Sequence, residues 1–180
     1  MPLTSVEQKF ILHWGEMGTR WGINRTVAQV HALLFLSAKP LHAEEIANTL
    51  SVARSNVSTS LRDLLHWNLV RVVHRMDDRR DHFETARDPW DLLRTIVRER
   101  KAREFDPTIG VLRECVSDPS FAKESPATQS RLTETLALME ALSSWSEDML
   151  RLDTPTLIRL MKMGDKVRAL LPRKSSARRG

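Results

Sequence analysis

Residues 43–65, AEEIANTLSVARSNVSTSLRDLL, hold two apolar periods separated only by Ser51 and Val52. Ile46, Ala47 and Leu50 recur at helical steps, as do Val57, Leu61, Leu64 and Leu65. A short helix over about 42–50 and a second over 53–66 are therefore expected. So short a break obliges their apolar faces to pack on each other. Ala47 is small where the two would cross, and Val52 fills the corner between them. That packing dictates which side of the second helix looks outward. At about 100° per residue, Ser55, Thr59, Arg62 and His66 lie opposite the apolar side. Asn56 and Ser58 fall on the flanks, and Arg54 sits at the N-terminal tip.

The flanks extend this pair. Val6, Phe10, Trp14, Met17 and Trp21 put one apolar face on a helix over 5–22, with Ser5 as its N-cap and Gly22 and Asn24 as its stop. A second helix covers about 25–37. After Trp67 and Asn68 the period changes: Leu69, Val70, Val72 and Val73 read as a strand, MDDRRD as a turn, and His82–Thr85 as the returning strand. The hairpin spans about 69–85. Beyond it a helix starts at Pro89 and reaches 103 or 104, where Asp106-Pro107 interrupts it. Further helices are expected over 108–116, 127–150 and 155–171. The fold class is mainly α with a small β-hairpin: a winged helix-turn-helix over 1–88, a helical linker and dimerisation region over 89–171, and a basic disordered tail over 172–180.

Hydroxyls, an amide and arginines on the outward face of 53–66 donate to phosphates and read base edges. Arg54, Ser55, Asn56, Ser58, Thr59 and Arg62 are thus the candidate contacts to double-stranded DNA. The hairpin supplies Arg75, Arg79 and Arg80, interleaved with Asp77, Asp78 and Asp81. It reads as a wing whose arginines hold phosphate or enter the minor groove, the alternative being a solvated turn of self-neutralising charge. The net charge of +5 does not decide between them. Arg173, Lys174, Arg178 and Arg179 of the tail supply most of it, so the placement of charge carries the argument. A winged helix used for protein assembly would show apolar residues at Ser55, Thr59 or Arg62, and there are none.

The run AEEIANTLSVARSNVSTSLRDLLHWNLVR resembles the MarR-type winged helix. Residues 78–107, DRRDHFETARDPWDLLRTIVRERKAREFDP, and the opening Trp14-Gly15 with Gly18 are similar to the GbsR branch of that family. The resemblance implies a homodimeric bacterial or archaeal transcription regulator, with repression the expected sign. Some members of the branch respond to choline or related osmolyte precursors. No motif transfers that ligand to this chain.

Other chemistries find little support. There are five tryptophans and no tyrosine. Trp14, Trp67 and Trp90 are the candidates for an effector site, either as an aromatic cage for a quaternary ammonium or as plain packing. The six histidines show no metal-ligand spacing, and His74 and His82 are expected to face each other across the hairpin. No metal or cofactor is expected. Cys115 reads as a small buried residue on an apolar helix face. Phosphate-cradling glycine loops and a nucleophile elbow are missing, so no enzymatic activity is expected. One cysteine, no secretory signal and no long apolar run point to a cytoplasmic protein without a membrane span.

Overall fold

Thr4, rather than Ser5, starts the first helix. Its Oγ1 accepts the Glu7 amide at 3.3 Å while the Glu7 carboxylate accepts the Thr4 amide at 2.8 Å, a reciprocal cap that Ser5, one residue inside, cannot form. The computed structural model describes residues 2–76 and 78–170, those after 163 by backbone alone. Helix α1 (Ser5–Arg20) ends before Gly22, whose φ of +76° turns the chain. Asn24 Oδ1 then accepts the Thr26 amide at 2.8 Å and caps α2 (Arg25–Leu36). The two helices cross at Gly18, where a Cβ would stand 2.5 Å from the Cβ of Ala28. Only glycine permits that approach.

Helices α3 (Ala43–Leu50) and α4 (Arg54–His66) are joined by a tight turn in which Ser51 adopts φ 55°. The expected packing is present: Ile46, Ala47, Val57 and Leu61 are buried in one core with Val30 and Leu33 of α2. Leu50 and Val52 pack against its edge. Ile46, Val30 and Val57 are fully enclosed.

The hairpin belongs to a three-stranded antiparallel sheet in the order β1-β3-β2. Strand β1 (Leu41–His42) was not foreseen; β2 covers Val70–Arg75 and β3 covers Asp78–Thr85. Asp78 to Asp81 are strand residues, not the turn expected of MDDRRD. The register also corrects the histidine pairing. His82 lies opposite Val73 on one side and His42 on the other, and the His42 and His82 rings meet edge to face at 5.6 Å. His74 pairs instead with Asp81, Nδ1 to Oδ1 at 3.6 Å.

Helix α5 (Pro89–Arg100) is capped by Asp88, which accepts the Trp90 amide at 2.9 Å. The break expected at Asp106-Pro107 does not occur. A π-helical turn (Lys101–Phe105) leads directly into α6 (Asp106–Ser117), where Pro107 occupies the first turn and needs no intrahelical donor. The chain divides into two compact units, Met1–Ala102 and Arg103–Gly180. In the second, α6 packs on α7 (Pro126–Arg151), and Arg113 Nε donates to Glu140 Oε1 at 2.7 Å. Helix α8 follows (Thr154–Leu170). No residue of α7 is buried. Cys115 is exposed on α6, contrary to expectation, because the apolar face assigned to it meets little of the chain itself. The tail 172–180, Asp77 and Leu171 lie outside the described residues.

Candidate nucleic-acid interface

Helix α4 buries Val57, Ser60, Leu61 and Leu64 and turns Arg54, Ser55, Asn56, Ser58, Thr59 and Arg62 to solvent. Four inward residues at helical spacing are what fix that outward set. Ser58 Oγ donates to the Arg54 carbonyl at 3.0 Å, which pins the hydroxyl against its own helix. Ala53 caps α4 without a side-chain acceptor, so its first amides remain donors for an anion. No described residue pairs with the side chains of Arg54 and Arg62.

The wing arginines are set by a bulge. Val73 opposes His82 and Arg75 opposes Asp78, so β3 passes Arg79, Arg80 and Asp81 where β2 passes only His74. A bulge bends its strand and re-aims the residues on it. Asp78 holds Arg80: Oδ1 accepts the Arg80 amide at 3.0 Å and Nε at 2.9 Å, and Oδ2 accepts Nη2 at 2.5 Å. These bonds keep the Asp78 carboxyl below the usual carboxylate range and push the guanidinium up. On the other side, Arg80 Nη1 stands 3.9 Å from Glu44 Oε2 of α3. Arg75 and Arg79 are exposed, and no described residue pairs with Arg79.

Between α4, the start of α3 and β3 lies an open cleft of about 440 Å³. Arg54, Ser58 and Arg62 line it from the helix, Arg80 and Asp81 from the wing, and Glu44 from α3. It thus brings together four of the expected contact residues. Ser55, Asn56 and Thr59 lie beyond its wall on the outer helix face, and Arg75 and Arg79 lie further along the wing. Glu44 was missed, because a lone glutamate at a helix start reads as an ordinary dipole partner.

Beneath the wing, the Thr85 hydroxyl donates to the Leu69 carbonyl at 2.6 Å and so accepts from His31 Nε2 at 3.2 Å. Burial pushes the His31 pKa down to about 4. His31 also lines a separate apolar cavity of about 270 Å³, walled by Trp14, Trp21 and Trp67 with Leu64 and Ile96. Trp14 and Trp67, two of the three effector candidates, therefore line one cavity. Trp90 is not part of its lining, and Trp21, assigned to packing, is. Among the described residues no group of three or more His, Cys, Asp or Glu is arranged to hold a metal ion. No helix there is long and apolar enough to cross a membrane.

A helix-turn-helix with a bulged, arginine-bearing wing beside its second helix defines a winged helix-turn-helix protein. Residues 21–81 match the MarR family model, so over that segment the chain is similar to MarR-type proteins. The chain is 26% identical over 98 residues to the putative HTH-type transcriptional regulator YvaV of Bacillus subtilis (strain 168), across 53% of this chain and 55% of that protein. It thus spans about half the length of the curated relative it matches. A crystal structure of a transcriptional regulator superposes with a TM-score of 0.66 at 19% identity, over 80% of this chain and 95% of the other, which shows a shared fold.

Proposed function

We propose that the chain is a sequence-specific regulator of transcription that binds double-stranded DNA as a homodimer. The observation that carries this reading is the cleft itself: arginines from the outward face of α4 and from the wing converge on one concavity. Backbone contacts through the wing and base contacts through the helix are the two components such recognition needs. A cleft built for a protein partner would favour apolar lining at Arg54, Ser58 and Arg62. The similarity to a protein named as a transcriptional regulator supports this reading, and a soluble, cytoplasmic, non-catalytic protein of the GbsR branch, acting as a repressor, is its finer form.

Dimerisation is proposed through the helices of 89–171. Helix α7 offers Leu132, Leu136, Met139 and Leu142, none of them buried, and α8 offers Leu160 and Met161 in exposed positions. A twofold pair would space two recognition helices by about 34–36 Å and prefer a pseudo-palindromic site. The tryptophan-walled cavity is proposed to take a small-molecule effector, because it touches α4 through Asp63 and Leu64.

Selection of bound duplexes from a random pool, followed by fluorescence anisotropy at two salt concentrations, tests the central claim. The expected result is one enriched, nearly symmetric site bound far more tightly than its scrambled form. Equal affinity for both duplexes removes sequence reading. A monomer in light scattering at micromolar protein removes the dimer. Titration with choline and betaine, followed by tryptophan fluorescence and DNA affinity, tests the quaternary-ammonium effector.

A further inference from the structure

His82 is buried directly beneath the wing arginine. Its Nδ1 lies 2.9 Å from the Arg80 carbonyl oxygen. A carbonyl only accepts, so Nδ1 carries the ring proton. In the neutral ring Nε2 then presents a lone pair, and it stands 3.6 Å from Asp78 Oδ2. That oxygen belongs to the carboxylate that grips the Arg80 guanidinium. A lone pair facing a carboxylate is unfavourable. A proton on Nε2 converts the same contact into a charge-assisted hydrogen bond.

The neighbouring His42 does not compete for that proton. Its Nδ1 accepts the Glu45 amide at 3.3 Å and caps α3, and its Nε2 stands 3.5 Å from Glu45 Oε2. Charging the ring at Nδ1 would break the cap and set a cation at a helix N-terminus. The other charged neighbours belong to the same group. Glu45 faces His42 and Arg80 and is itself 3.4 Å from Lys39; Glu44 stands 3.9 Å from Arg80. Strand β2 opposes His82 with the apolar Val73.

We propose that His82 is a positioning residue for the wing, whose protonation locks Asp78 and Arg80 and raises the charge of the Arg80–Asp78–His82 group from zero to plus one, so that DNA is held more tightly as pH falls. The proposal rests on the DNA-binding reading above. Phosphates near Arg80 favour the charged ring, so binding takes up a proton, and histidine side chains change charge between about pH 5 and 8. Each proton taken up lowers Kd by at most about tenfold per pH unit.

The test is fluorescence anisotropy on the full chain at about pH 8 and pH 6 and constant ionic strength, with the selected duplex and its scrambled form. The expected result is a Kd several-fold lower at pH 6 for both. His82→Asn keeps an N–H near the Nδ1 position but cannot titrate. It should match the wild type at pH 8 within about twofold and lose the pH response. His13→Gln, at an exposed position of α1, should keep the response. In NMR titrations of the wild-type histidine ring protons, the His82 midpoint should rise when duplex is added; this arm stands even where His82→Asn fails to fold. A Kd independent of pH, a full response in His82→Asn, or a midpoint unmoved by DNA each overturns the inference and leaves DNA binding standing. Binding to neither duplex at either pH overturns the DNA-binding reading itself, and this inference with it.

Discussion

Replacing Arg62 by alanine separates base reading from general attraction. Arg62 is exposed on α4, lines the cleft beside Arg54 and pairs with no described residue. The folded chain therefore loses little: stability should change by no more than about 0.5 kcal/mol. An arginine bidentate to a guanine edge contributes about 1–3 kcal/mol of discrimination. At about 1.4 kcal/mol per tenfold, affinity for the selected site should fall roughly 5- to 150-fold per half-site, with much less change for the scrambled duplex. Anisotropy on both duplexes reads the ratio, and thermal unfolding run in parallel reads the fold. Equal losses on both duplexes would mean that Arg62 touches phosphate only. Unchanged affinity for both, with an unchanged Tm, would refute the assignment of this helix face to DNA.

Arg79, exposed on the bulge, should act as a phosphate contact: Arg79→Ala should weaken both duplexes alike and flatten the plot of log K against log salt by about one unit. Thr85→Val should lower stability by about 2–4 kcal/mol in urea unfolding, since it strands both the Leu69 carbonyl and His31 Nε2 without partners. Burial holds His31 neutral with a pKa of about 4 against an ordinary 6.5. The unfolded chain alone takes the proton between those values, so its contribution is complete above about pH 6.5 and falls by up to about 3 kcal/mol as pH drops towards 4; His31→Met should flatten that part of the urea-midpoint profile. Gly18→Ala should destabilise by about 1–3 kcal/mol in thermal unfolding, because the new Cβ meets Ala28 at the α1–α2 crossing.

The outward face of α4 was legible because burial imposes a period on sequence. Val57, Leu61 and Leu64 mark the inside, and Arg54, Ser55, Thr59 and Arg62 follow by exclusion. Charged turns carry no such period, and MDDRRD therefore hid a bulged strand. Strand β1 has two residues, too few to alternate, and its partner Phe83 lies far along the chain. The His42–His82 contact and the approach of Glu44 to Arg80 join residues distant in the chain, so no local pattern announces them. Cys115 was misread for a related reason: an apolar face at helical spacing does not say which of its residues the chain itself buries.

Strand β2 has a further consequence. In the order β1-β3-β2 it stands at the edge, with no described strand on its outer side. An open edge of unpaired peptide groups invites other chains to add on and is a common origin of aggregation. Here the edge reads VRVVHR, with Arg71, His74 and Arg75 exposed along it, and the irregular register between Val73 and Arg75 breaks its flatness. The charged side chains and the bulge thus disfavour edge-to-edge addition of a second sheet.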